Sequence, residues 1–193
     1  MVRSHRKKTV HHNMETVTQK KIQGVFTALR DTFSWTNPLQ APKLEKIVIS
    51  TGIGRMRKDA PKIKLIQDRL TRIAGQKPVP KKARMSIASF KLREGETVGY
   101  AVTLRGAAMQ AFFDRLVNIA LPRMRDFRGI PRTSVDVMGN LTIGIPEHTV
   151  FPETPDENLQ DVFGLSITIV TTTGSAEEAL AFLEHLGVPF VRV

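Results

Sequence analysis

The chain of 193 residues contains no cysteine. That excludes a disulfide scaffold, a cysteine-ligated zinc or iron–sulfur site and a thiol nucleophile. Long apolar runs are missing too: the longest is the five-residue stretch Ala179–Leu183, against roughly 20 residues for a membrane helix. No membrane partner is expected, and no apolar signal-peptide core is present. Internal repeats, linkers and low-complexity tracts are also absent. A chain of this length can bury roughly 70% of its unfolded surface, so it needs neither metal nor cross-link to fold.

Acidic residues are scarce in one half only. Residues 1–94 carry 22 Lys and Arg against 6 Asp and Glu (net +16), whereas residues 95–193 carry 7 against 12 (net −5). The densest stretch, Arg55–Arg93, holds 13 cations opposed only by Asp59 and Asp68. A one-signed field repels itself and opposes compaction, so an anionic partner is expected, and nucleic acid is the commonest. A membrane surface is the other candidate, because Ile22, Val25, Phe26, Leu29 and Phe33 have helical apolar spacing beside Lys20, Lys21 and Arg30. Such a stripe is more often a helix packing on its own domain.

Residues 1–13 (MVRSHRKKTVHHN) combine four cations with no acid and read as a flexible basic arm; a trimmed organelle presequence is the alternative. Residues 14–193 read as one domain. A helix spans about 14–33 and ends before Asn37-Pro38. KLEKIVIST (43–51) is a strand. Asp59 and Pro61 open a helix with Ile63, Ile66, Leu70 and Ile73 inward and Gly75 as its cap. After the loop GQKPVPKKARMS the pattern predicts a hairpin of Ile87–Arg93 with Val98–Leu104 about a Glu94-Gly95 turn. Met109, Phe112, Phe113, Leu116 and Ile119 or Ala120 form a further helix stopped by Pro122, followed by the arginine-rich loop PRMRDFRGIPR. Strands are expected at Leu141–Ile145, near Thr149–Phe151 and at Leu165–Thr172, and Ser175 with Glu178 opens a last helix capped by Gly187. This order predicts an α+β fold: a mainly antiparallel sheet with helices packed on one face, a single domain plus the N-terminal arm.

Chemical motifs are few. Gly52-Ile53-Gly54 follows a strand like a phosphate loop, but no Gly-Lys-Ser/Thr completes it, so it reads as a strand exit. His11-His12 lacks spaced metal partners, and Glu94 with Glu96 straddles a solvated turn; no catalytic residue, metal site or cofactor is proposed. The basic loop differs in kind. Lys77, Lys81, Lys82 and Arg84 stand among Pro78 and Pro80, which stiffen the backbone and project charge at lower ordering cost. The hairpin adds a surface: a two-residue turn sets Phe90 opposite Gly99 and on one face with Ala101 and Thr103, suited to an RNA backbone or an unstacked base. A three-residue turn would bury Phe90.

The runs PKLEKIVISTGIG (42–54), IAGQKPVPKKARMSIASFKLREGE (73–96), VTLRG (102–106), FFDRLVNIALPRMRDFRGI (112–130), IPEHTVFPE (145–153) and SITIVTTT (166–173) closely resemble the bacterial-type large-subunit ribosomal proteins that bind 5S ribosomal RNA, the ribosomal protein L5 family. The resemblance covers about Val17–Phe190. It implies a non-catalytic protein of the cytoplasmic ribosome, an organellar one being the alternative. Its implied partners are 5S rRNA and large-subunit rRNA in the central protuberance, P-site tRNA, and a small-subunit head protein at an intersubunit bridge. By motif it assigns the 5S contacts to Ser50, Gln76, Phe90 and Thr103, and the tRNA loop to Lys77, Lys81, Lys82 and Arg84. Two positions depart from the family pattern: Ser50 stands where IVINMGVG has Asn, and Met138 where FDGRGNY has Arg. The runner-up reading is a general RNA- or DNA-binding architectural protein outside the ribosome; an RNA-modifying enzyme ranks third.

Overall fold

The computed structural model describes residues 17–56, 59–154 and 162–191; the basic arm, including His11-His12, lies outside them. Five strands form one sheet in the order β2-β3-β1-β5-β4: β1 Leu44–Gly52, β2 Val79–Lys82, β3 Thr97–Leu104, β4 Leu141–Ile145 and β5 Leu165–Thr171. Every pairing between them is antiparallel. The helices are α1 Val17–Phe33, α2 Ala60–Ala74, α3 Gly106–Arg115 and α4 Ala176–Leu186. The fold is α+β, as the element order predicts.

Alternation along the strands decides which side the helices cover. Ile47, Ile49, Val102, Leu104, Ile167 and Ile169 point one way and are almost wholly buried with Ile66, Leu70, Phe112, Phe113, Phe182 and Leu183. Burying each such side chain contributes about 1.5–3 kcal/mol. The α1 stripe belongs to this core: Val25 is buried, and Ile22, Phe26, Leu29 and Phe33 pack against it. Polar contacts hold the helix there: Lys21 Nζ donates to the Leu186 carbonyl at 2.9 Å, Gln19 to Gln110 at 2.8 Å, and Thr18 to Asp114. The stripe therefore needs no membrane.

Helix ends follow the expected chemistry in part; Asp59 precedes α2 without a side-chain capping bond. Gly75 (φ 68°) and Gly187 (φ 99°) close α2 and α4 in the left-handed conformation, and Ser175 Oγ accepts from the Glu178 N–H at 3.3 Å.

Three expectations are corrected. The hairpin partner of β3 is β2, not Ile87–Arg93: Val79 pairs with Ala101, Pro80 with Tyr100 and Lys81 with Gly99. Prolines are tolerated there because β2 is an edge strand, where a missing N–H breaks no ladder bond. Once β2 occupies that edge, residues 83–96 form an excursion tied at its base by Ala83 N–H to Glu96 O, 2.8 Å. Within it Ala88–Phe90 is a 3-10 turn, Ile87 bridges Leu92, and Lys91 adopts φ 49°. The Glu94-Gly95 turn exists, closed by Glu96 N–H to Arg93 O at 3.2 Å, but it lies inside the excursion. Second, Pro122 does not stop the third helix; the backbone widens into a π turn over Leu116–Ala120 and continues to Arg123. Ala120 rather than Ile119 is the buried residue there. Third, the segment near Thr149–Phe151 is a 3-10 turn over His148–Val150, not a strand.

Candidate nucleic-acid interface

Among the described residues no helix covers the other side of the sheet, although Gly99 and Ala101 of β3 are buried on it. Register places Thr142 and Gly144 of β4, Ser166, Thr168 and Val170 of β5, Lys46, Val48, Ser50 and Gly52 of β1, Gly99, Ala101 and Thr103 of β3, and Val79 and Lys81 of β2 on this side. Most of these residues are small or carry hydroxyls; the exceptions are Val48, Val79 and Val170 and the two lysines, Lys46 and Lys81. At Gly99 an added Cβ would meet the Thr51 carbonyl oxygen at 2.6 Å, so the platform stays low where β3 and β1 come closest. A flat surface of hydroxyl donors and acceptors bordered by cations suits a ribose-phosphate backbone. A hollow of about 480 Å³ at its end is lined by Ser50, Gly52, Gly144, Gly164 and Ser166.

The sequence-assigned residues divide between this face and its margin. Ser50 and Thr103 share the face, on neighbouring strands. Thr103 is exposed and Ser50 half-buried. Phe90 is 70% exposed, but it reaches no register position beside Gly99; that place belongs to Lys81 and Gly52. The parity that set Phe90 with Thr103 is not realised, and Phe90 stands on the excursion instead. Gln76 and Lys77 are exposed in the connection after α2. Lys81 and Lys82 belong to β2 rather than to a loop, separated by a register shift, and Arg84 begins the excursion. Met138, 64% exposed beside Val137, tips a turn that Asp136 holds by accepting from Asn140 N–H and Nδ2 at 2.7 and 3.0 Å. Those bonds, the side-chain one foremost, keep the Asp136 carboxyl below its usual range.

Sequence reasoning missed Ser166, Thr168, Thr142 and Gly144. Their signal was the complement of the apolar alternation Leu165, Ile167, Ile169. It also missed His148, which is fully buried, stacks on Phe163 with ring centroids 4.1 Å apart, and has Nε2 3.0 Å from Arg69 Nη1. Burial first, and the Arg69 guanidinium second, push its pKa down from 6.5 to about 4. Among the described residues no cluster of His, Asp and Glu could hold a metal ion, and no helix is long and apolar enough to cross a membrane.

Comparison with known proteins gives the same direction. A family model for ribosomal protein L5 matches residues 37–93, and the model for the C-terminus of the same ribosomal family matches residues 97–190. The large ribosomal subunit protein uL5 of Anaeromyxobacter sp. (strain Fw109-5) is 49% identical over 162 residues, covering 84% of this chain and 90% of that protein. Its counterpart from Thermoanaerobacter sp. (strain X514) is 44% identical over 93% of this chain and all of its own length. That of Salinibacter ruber is 45% identical over 90% and 92%.

Proposed function

The chain belongs to the ribosomal protein L5 family and is a non-catalytic protein of the large ribosomal subunit, and from that premise we propose a division of its surface among three partners. The bare sheet face, with Ser50, Thr103 and the nearby Gln76 and Phe90, holds 5S rRNA. The basic segment Lys77–Arg84 and the excursion that follows it reach P-site tRNA. The C-terminal part, net −7 over residues 144–193, meets a small-subunit head protein, and a basic partner would be steered to it by complementary charge.

The observation that carries the reading is the uncovered face itself. The face carries hydroxyls on β1, β3, β4 and β5 and a lysine on β2, with no helix over it among the described residues. An antiparallel sheet commonly leaves one face to solvent, but such a face ordinarily intersperses charges of both signs, and register places no acid on this one. The test is titration of the full chain with deproteinised 5S RNA against a structured RNA of equal length. Preferential, salt-sensitive binding with a defined footprint is expected; equal affinity for both RNAs overturns the assignment of the face. For tRNA, Lys82→Ala with Arg84→Ala should weaken retention on ribosomes in a salt-dependent way and spare 5S binding. Lys81 is left intact because it borders the sheet face opposite Gly99, so its loss would not separate the two partners. Loss of 5S affinity before tRNA retention overturns that division.

A further inference from the structure

We propose that Arg125 and Arg128, in the loop between α3 and β4, form a second phosphate contact for the RNA seated on the bare face. The inference rests on the reading of that face as an RNA platform. It assigns RNA contact to the half of the chain whose net charge is negative, which charge counting alone gives to a protein partner.

Seven arginines follow residue 95, and four of them (Arg123, Arg125, Arg128, Arg132) fall within ten residues. Arg132 is engaged with Glu184 at 2.7 Å. Arg123, Arg125 and Arg128 are exposed and make no ion pair with a described residue. Arg125 and Arg128 line a cleft of about 430 Å³ whose other wall includes Thr142 and Gly144 of β4. Gly144 also lines the hollow that holds Ser50 and Ser166. The cleft and the platform are therefore continuous across one residue that has no side chain. A backbone crossing from Ser50 over Gly144 runs into the two guanidiniums, whose planar forks suit phosphate oxygens. Asp126 lines the same cleft, so the cations outnumber the acid two to one. Arg125 also lines an adjoining, smaller hollow with Arg123 and Glu147; Arg123 does not line the cleft itself and is left out of the contact, and Glu147 lies outside the cleft. An acidic protein would also suit two arginines, but continuity with the hydroxyl platform favours RNA.

Two kinds of variant test this with the full chain and deproteinised 5S RNA over a salt series. Arg125→Gln with Arg128→Gln should lower affinity roughly tenfold and reduce the steepness of its salt dependence by about 1.5 in log–log slope. The Lys pair at the same positions should keep the slope while losing affinity, because charge survives and bidentate geometry does not. Gly144→Val blocks the passage without touching either arginine: an added Cβ there meets nothing within 4 Å, so the protein should remain folded while RNA affinity falls. If wild type binds 5S RNA, Thr103→Ala weakens it, and both the Gln pair and Gly144→Val match wild type in affinity and slope, the second contact is overturned and the face reading stands. Loss of crosslinks to a neighbouring protein with RNA binding intact would give the loop to an acidic protein and also overturn it. Failure of wild type to bind 5S RNA instead removes the reading on which the proposal rests.

Discussion

In β1, residues 47, 49 and 51 are buried while residues 48, 50 and 52 are half-buried or exposed, and the two sets face different worlds. The covered side of the sheet is built from Ile, Val and Leu packed on helices; the other side carries mostly Ser, Thr, Gly and Ala, with Val48, Val79 and Val170 and the lysines Lys46 and Lys81. The pleat alone separates them, since successive side chains point to opposite faces. Neighbouring residues can therefore serve stability and recognition almost independently, and the contrast can be broken from either side. Ile49→Ala on the covered side should cost about 2–5 kcal/mol of stability, through lost burial and the cavity left behind. Urea unfolding measures that loss, and the RNA affinity of the protein that remains folded should not change. An affinity that falls with stability would show the faces to be coupled.

His148 sharpens the comparison through pH. Its folded pKa of about 4 lies below the ordinary 6.5, so between those values the unfolded chain takes up a proton that the folded one refuses. The associated stability is fully present above about pH 6.5 and is lost as pH falls toward 4, by on the order of 3 kcal/mol. His148→Gln should flatten that slope whatever it does to absolute stability. No carboxylate or imidazole is placed on the bare face by register, so RNA binding by folded protein should not follow the same window. A pH profile in which Gln at position 148 leaves the slope intact would move its origin to another group.

On the bare side the effects are smaller and fall on binding. Thr103→Ala and Gln76→Ala should each weaken 5S RNA binding by about 1 kcal/mol, the net worth of one hydrogen bond. Both should leave unfolding within about 0.5 kcal/mol of wild type, as exposed substitutions usually do. Unchanged affinity in both variants would remove these residues from the interface.

The covered side is more legible in the sequence than the bare one, because burial imposes a period and recognition does not. Ile63, Ile66, Leu70 and Ile73 announce α2 at the helical period, and Leu165, Ile167 and Ile169 announce β5 at the strand period; both elements are found there. The β3 partner escapes sequence reasoning because Pro78 and Pro80 mark a loop in local terms, and only the assembled sheet shows an edge that tolerates them. His148 is invisible to it: its partner Arg69 is 79 residues away and Phe163 is 15 away. Ser50 and Thr103 are found through family resemblance, while Ser166 and Thr168, which share their face, occur in none of the assigned sets.

The smallest effect expected is also the most discriminating. Ser50 lines a hollow of about 480 Å³, so a longer amide fits without displacing its neighbours. Asn offers two donors and an acceptor on a longer arm, against the single hydroxyl of Ser. Its weaker strand propensity costs a few tenths of a kcal/mol at most. Ser50→Asn should therefore strengthen 5S RNA binding by about 0.5–1 kcal/mol, with a urea midpoint indistinguishable from wild type. A gain in affinity without a gain in stability is what a recognition face predicts. A loss of affinity would mean that the RNA approaches Ser50 too closely for any longer side chain, and the hollow would then be a contact surface rather than spare room.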